Sequence, residues 1–349
     1  MNNDPRFYSK DKLFSYRAFL NFSLGARGTG KTTCAKFWCI DDFIKTKKRF
    51  VWVRRYNTEL SGDKKKGIEG CVKSFTKKIE QFYPNVKFEI KRNTLYINDE
   101  DAGCFVALST SSAMKSVDFE NVNKIIFDEF LIMEGSKYSY LKNEITLFLD
   151  LISTIFRPIA NMDGKENYRT RVWLLSNAIT FGNDYFFYFN IHPFPINSIY
   201  YDKKRGIAVE QYENKIHEQA VKQTMFGKLI SGTEYEQYAV ENKYLLDNDD
   251  FIGKKSKNAY LVFNIRYEGR EWGVYADSDY VYITNNVDKS RPFFSFTKAD
   301  HSIDSILVKS ISGTRFNMLV RNYQLGLVKF ENTAIKKKFI DFMSLFIVK

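Results

Sequence analysis

Sulfur and imidazole are scarce in this chain, with four cysteines and three histidines among 349 residues. The cysteines, Cys34, Cys39, Cys71 and Cys104, form no CxxC pair, which argues against a zinc site and fits a reduced, cytosolic setting. No run of about 18 apolar residues is present, so no membrane span is expected. The polar opening MNNDPRFYSKDK has no signal-peptide pattern. No internal repeat is visible. Acids are few over residues 250–349, with 10 against 16 basic groups.

Apolar residues make up 44% of the sequence, which excludes a disordered chain, and aromatics are dense, with 32 Phe and 22 Tyr. The length allows two domains on a prior of about 100–200 residues each. The net charge is +12, distributed as +8 over residues 1–200, −2 over 201–249 and +6 over 250–349. Two basic modules with a connector point to a polyanionic partner such as nucleic acid. Evenly solvated lysines would give the same total, and charge alone does not separate the two readings.

Residues 17–24 read as a short buried strand, and 31–46 as a helix with Ala35, Trp38, Cys39 and Phe43 on one side. Strands follow at 49–56, 104–108, 122–130 and 171–178, with a hairpin at 86–99 and a helix at 143–157. Strands without period-two polarity that alternate with helices predict a parallel sheet covered on both faces. Residues 206–226 read as helical and polar. YLVFNIRYEG, REWGVYAD and DYVYITNN then read as a β-meander opening a second α/β domain, closed by a helix over 335–347. The aromatics of this last domain alternate within strands, as core residues do.

The stretch GARGTGKTT (25–33) fits the phosphate-loop pattern GxxxxGK[ST] between a strand and a helix. Its glycines let backbone N–H groups turn inward, Lys31 reaches the β- and γ-phosphates, and Thr32 offers a hydroxyl to Mg²⁺. The expected ATP-binding set is Gly25, Ala26, Arg27, Gly28, Thr29, Gly30, Lys31, Thr32 and Thr33. Asp128 and Glu129 close a hydrophobic strand. Phosphoryl transfer to water needs one acid for the metal shell and one to polarise the water, which suits Asp128 and Glu129 in that order. Asn177, just beyond VWLL, is placed to sense the γ-phosphate; an amide there is also a common turn residue. Arg157 ends a helix, where a cation is favourable anyway. Physics alone does not choose an arginine finger among Arg157, Arg54, Arg55, Arg169 and Arg171. Lys115, in the polar loop before the acidic strand, could face a nucleic-acid track, but chemistry alone favours an ordinary surface lysine.

In this order, NFSLGARGTGKT, FVWVRRY, IIFDEF, NEITLFLDLISTIFR and LLSNA resemble the DNA-packaging motor ATPases of phi29-like tailed phages; FGKLISGTEYEQY (226–238) extends the likeness. The resemblance implies an α/β chain in three parts. These are an additional-strand (ASCE) P-loop ATPase domain with a mostly parallel sheet (1–204), a small helical linker domain (205–249) and an RNase H-like domain that has lost nuclease function (250–349). It implies ATP and Mg²⁺, and double-stranded DNA, a packaging RNA, the prohead portal and a homopentameric ring of the same chain as partners. The implied setting is the cytoplasm of an infected bacterial host, docked on a prohead. By motif, Lys31 and Thr32 match the phosphate-loop pair, Asp128 and Glu129 the metal-binding and catalytic acids, Asn177 the SN segment and Arg157 the trans arginine finger. Lys115 falls in the loop that lines the DNA pore, with a poor local match. Asn57 stands where the family can carry a lysine, which puts a second basic trans contact in doubt. A two-metal nuclease needs three or four converging carboxylates. LVFNI carries no acid, and Asp277 and Asp279 lie at a probable turn, so the last domain reads as one that binds rather than cuts.

A helicase-like nucleic-acid-dependent ATPase is the alternative, and ATP turnover without a capsid would mark it. NKII (123–126) is not the guanine signature NKxD, which disfavours a GTPase. A non-catalytic nucleic-acid-binding ring component with a relic nucleotide site fits poorly with intact Lys31, Thr32, Asp128 and Glu129.

Overall fold

The computed structural model describes residues 4–63, 68–114, 119–132, 138–156, 170–177, 183–191, 194–195, 197–233, 236, 251–308 and 315–347. They fall in two compact units, Met1–Ile179 with Ile191–Leu245 and Thr180–Asn190 with Leu246–Lys349.

In the first unit, nine strands form one sheet among the described residues. They are β1 (Leu20–Gly25), β2 (Arg49–Arg54), β3 (Phe88–Lys91), β4 (Thr94–Ile97), β5 (Glu100–Ala107), β6 (Val122–Asp128), β7 (Arg171–Asn177), β8 (Ile199–Asp202) and β9 (Ile207–Tyr212). The spatial order is β8-β9-β1-β7-β6-β2-β5-β4-β3. From β9 to β5 every pairing is parallel, and antiparallel strands close both edges. The fold is α/β with a mostly parallel sheet. Strands β1, β2, β6 and β7 are buried almost throughout, as parallel strands under helices must be, and β1 and β6 bury Asn21, Ser23, Asn123 and Lys124 along with their apolar residues.

Helix α1 (Lys31–Thr46) buries Ala35, Cys39, Ile40 and Phe43, one stripe at helical spacing. Helix α2 (Glu144–Phe156) buries Phe148, Leu151, Ile152 and Ile155, and Phe148 meets Phe127 of β6 with ring centroids 5.2 Å apart. Phe75 is fully buried against Phe50, Trp52 and Phe105, at 5.9, 4.9 and 5.0 Å between centroids.

The structure departs from the helix that the sequence predicts over 206–226. Residues 207–212 are not helical but form β9, which pairs with β1 over its whole length. The polar Glu210 and Gln211 hid the strand; both are buried, and Glu210 accepts a 2.7 Å bond from the Tyr8 hydroxyl. The expected domain boundary at residue 204 therefore falls between two strands of one sheet. Two short helices follow, α3 (Lys215–Lys222) and α4 (Met225–Ile230), each opened by a side-chain cap, Asn214 and Thr224 respectively.

The second unit holds a mixed sheet of six strands among the described residues, β10 (Tyr260–Tyr267), β11 (Arg270–Ala276), β12 (Val281–Thr284), β13 (Phe293–Ser295), β14 (Ser305–Leu307) and β15 (Val328–Phe330). The expected meander is β10–β12; β13 and β15 join its two sides in parallel. Helices α5 (Phe316–Gln324) and α6 (Thr333–Ile347) cover an aromatic core that includes Phe263, Trp272, Phe330, Phe339 and Phe342. Most aromatics of its central strands are core, as their alternation indicated, with Tyr260 at the start of β10 exposed. Residues 183–190 belong to this unit although the sequence reading gave them to the first. Asp184 is the anchor, accepting bonds from Arg270 at 2.8 Å and Lys338 at 2.7 Å.

Because Phe75 touches three strand aromatics at once, Phe75→Ala should lower the stability of the first unit by about 3–5 kcal/mol. Urea unfolding followed by near-ultraviolet circular dichroism reads this; a loss below about 1 kcal/mol would contradict the packing.

Candidate functional site

Strand β1 runs into the glycine loop, and α1 leaves it. Gly25 lies so close to β9 that a Cβ would stand 2.7 Å from the Tyr212 carbonyl oxygen. Gly28 and Gly30 have φ of 82° and 87°, left-handed values that glycine adopts without strain. Thr29 is buried and donates to the Ala26 carbonyl at 3.0 Å, and the Tyr8 N–H bonds the Thr29 carbonyl at 2.8 Å. The first turn of α1 carries no acidic residue, which leaves the positive end of the helix open to an anion.

Lys31 is buried. Its ammonium donates to the Gly25 and Ala26 carbonyls at 2.9 and 2.8 Å and to Thr29 Oγ1 at 3.3 Å. Burial pulls its pKa down to about 7, against the opposing charge of Asp128. The three oxygens around the ammonium are a place a triphosphate can compete for.

Ninety-six residues beyond Thr32, Asp128 ends β6, and its Oδ1 accepts from Thr32 Oγ1 at 2.9 Å. Asp128 is buried. Desolvation raises its pKa, and the Arg54 guanidinium and the Thr32 bond work the other way. A hydroxyl touching one carboxylate is a donor set that suits a divalent cation completed by phosphate oxygens and water. Glu129 follows with a left-handed φ of 60°, and its side chain is 62% exposed. The two acids thus occupy different environments, buried beside Thr32 and turned out to solvent.

Arg54, at the end of β2, joins them. Nη1 donates to Asp128 Oδ2 at 3.1 Å; Nη2 donates to Glu129 Oε2 at 2.6 Å and to Glu59 Oε1 at 3.0 Å. Burial opposes its charge, but the three carboxylates outweigh it and hold its pKa above the ordinary arginine value. Asn177 ends β7 in register with Gly25, and Leu175 stands level with Asp128. Asn177 is therefore at the same sheet edge as the loop and the acids. A cavity of about 670 Å³ opens beside the loop, lined by Gly28, Gly30 and Thr33 and, from the N-terminal segment, Pro5, Phe7 and Tyr8.

Of the expected site residues, the structure gathers Gly25, Ala26, Gly28, Thr29, Gly30, Lys31, Thr32, Asp128, Glu129 and Asn177, with Thr33 on the cavity side and Arg27 exposed on the loop. Arg157, Lys115 and Arg169 lie outside the described residues. Arg171 donates to the Ala18 carbonyl at 3.1 Å at the far end of β7, about 20 Å of strand away from Asn177. Sequence reasoning missed the part played by Arg54, whose signal was two arginines closing an apolar strand as Asp-Glu closes another. It also missed His217 of α3. Its Nε2 is buried without a hydrogen-bond partner among the described residues and stands 3.6 Å from where a Cβ on Gly28 would be.

A family model described as podovirus DNA encapsidation protein (Gp16) matches residues 2–346. The DNA packaging protein of Bacillus phage phi29 is 32% identical over 336 residues, 95% of each chain. A chain of the bacteriophage phi-29 viral genome packaging motor assembly superposes with a TM-score of 0.74 at 30% identity, over 97% of this chain and 98% of that one. The N-terminal domain of the DNA packaging ATPase from bacteriophage phi29 superposes with a TM-score of 0.50 at 33% identity, over 60% of this chain and 97% of that domain.

Binding of a triphosphate favours the Lys31 ammonium, so the bound pKa lies above the free value near 7. Above pH 7 binding then takes up a proton, and affinity falls as pH rises. Titration of a non-hydrolysable Mg–nucleotide from pH 7.5 to 9 should show a decline of up to about tenfold per unit. Lys31→Arg, which stays charged, should flatten it. A wild-type affinity independent of pH would contradict the assignment.

Proposed function

The chain belongs to the podovirus DNA encapsidation protein (Gp16) family, and from that premise we propose that it is an ATP-hydrolysing motor that drives double-stranded DNA into a viral prohead. The observation that carries the reading is the meeting of Thr32 and Asp128 at 2.9 Å, beside Lys31 and with Glu129 next in the chain. A phosphoryl-transfer site accounts for a glycine loop, a buried lysine and two differently solvated acids sharing one sheet edge.

Lys31 exchanges its loop carbonyls for β- and γ-phosphate oxygens, and the loop N–H groups and the α1 terminus take the rest of the anion. Thr32 and Asp128 would hold Mg²⁺, which offsets phosphate charge when bound. Glu129 leaves Arg54, turns to the attacking water and accepts its proton. Asn177, level with Gly25, orients the water or the γ-phosphate. Arg157 from a neighbouring subunit completes the charge stabilisation, which makes the working unit a homo-oligomeric ring, a pentamer in this reading. Lys115 faces the DNA track, where phosphate contacts are indifferent to sequence, as a genome packager requires. The first unit supplies the ATPase, residues 215–230 the helices of the linker, and the second unit an RNase H-like module that binds and does not cut. Its support is the meander flanked by parallel strands, together with Asn264 rather than an acid buried in β10. Partners on this reading are the prohead portal and a packaging RNA, in the cytoplasm of the infected host. Among the described residues no helix is long and apolar enough to cross a membrane.

The test is DNase protection of linear duplex DNA by the chain with empty proheads, packaging RNA, Mg²⁺ and ATP. Protection is expected for the wild type. Glu129→Gln should abolish it and slow ATP turnover by about 10²–10⁴-fold while nucleotide binding persists. Robust ATPase activity without protection by competent proheads would favour the helicase-like alternative.

A further inference from the structure

We propose that Arg55 is a positioning residue for Glu129. It holds the backbone turn that presents the carboxylate, and Glu144 holds Arg55. The proposal rests on the reading of Glu129 as the water-activating acid.

Glu129 sits at φ 60°, a left-handed conformation that is costly for a residue with a side chain and persists only where its surroundings impose it. The guanidinium of Arg55 lies against that turn. Nη1 donates to the Glu129 carbonyl at 3.2 Å and Nη2 to the Phe130 carbonyl at 2.6 Å, two successive carbonyls that fix where the chain goes after β6. The other side of the fork meets Glu144, with Nε at 2.7 Å from Oε2 and Nη2 at 2.9 Å from Oε1. The side chains of Arg55 and Glu144 are only 3% and 4% exposed. Glu144 opens α2 and also accepts the Leu141 N–H at 2.9 Å, so its carboxylate is itself fixed. The rings of Phe127 and Tyr140 flank the guanidinium, with its central carbon 5.5 and 5.0 Å from their centroids. A planar fork that reaches two carbonyls and one carboxylate together is chemistry that arginine supplies and lysine does not.

The neighbouring arginines thus divide one residue between them. Arg54, itself largely buried, takes the Glu129 side chain in a pair whose carboxylate is open to solvent and free to exchange. Arg55 takes the backbone beneath it in a buried one. When Glu129 leaves Arg54 for water, Arg55 keeps the pivot of that movement in place.

The experiment compares Arg55→Lys, Glu144→Gln and Glu129→Gln in the full chain. It measures kcat and KM for ATP, equilibrium binding of a non-hydrolysable ATP analogue, and thermal unfolding. Arg55→Lys keeps the charge but cannot span both carbonyls. Its kcat should fall about 10²-fold, the scale of a misplaced catalytic group, with analogue affinity as in the wild type. Glu144→Gln leaves the carbonyl bonds but loosens their orientation, and its kcat should fall less, with the same unchanged affinity. If Arg55→Lys does not fold, Glu144→Gln carries the test alone. Losses of analogue binding and turnover in equal proportion would show a purely structural pair and overturn the proposal. Unchanged kcat in both variants, with Glu129→Gln inactive, would overturn it and leave the ATPase reading standing. Full turnover by Glu129→Gln would remove that reading and the proposal with it.

Discussion

Everything at this site depends on the parallel register of five strands. Gly25 stands level with Tyr212 on one side and Asn177 on the other, Leu175 with Asp128, and Phe127 with Val53, one residue before Arg54. Parallel strands joined by crossovers bring all their carboxyl ends to one edge, and the residues just past those ends face a common crevice. That is how a hydroxyl at position 32 comes within a hydrogen bond of a carboxylate at position 128. A shift of one strand by a single residue would turn Asp128 to the opposite face and dissolve the contact with Thr32.

On that edge, burial rather than residue type separates the duties of the two acids. Asp128 is nearly out of water, so burial raises its pKa, and Arg54 and the Thr32 hydroxyl favour its charged form against that. Glu129 is open to water and can change partners. Arg54 serves both, because a guanidinium fork can satisfy several carboxylates at fixed angles. With Glu59 as third partner, its side chain is tied to the short helix Asn57–Ser61 as well.

Local patterns carried most of this architecture into view from the sequence. The helix Lys31–Thr46 has the bounds expected of it, the hairpin at 86–99 appears as β3 and β4, and the apolar runs that end in Asp-Glu and Ser-Asn are parallel strands. In each case the deciding signal lies within about ten residues. What was not legible depends on distant partners. β9 looks polar until Tyr8 is seen to satisfy Glu210, two hundred positions away. Residues 183–190 look like part of the first unit until Arg270 and Lys338 are seen to claim Asp184. Arg54 and Arg55 look alike in sequence because both follow one strand; their carboxylates, Glu129 and Glu144, are far along the chain and far apart in burial.

The bonds at the site also sort by what an arriving triphosphate can displace. The oxygens around Lys31 belong to neutral groups, so phosphate oxygens bearing full charge outcompete them. In the Arg54–Glu129 pair the guanidinium is largely buried but the carboxylate is open to water, so Glu129 can be solvated when it leaves. These contacts are the ones that must change during turnover. Arg55 and Glu144 are buried together, and separating them would leave each charge buried without its opposite. The contact between Thr32 and Asp128 is partly buried and ties the start of α1 to the end of β6. The weak contacts surround the reacting groups and the strong ones anchor the backbone that carries them. The site can therefore exchange charge partners without losing its shape, which is what repeated turnover at one fixed edge of a sheet demands.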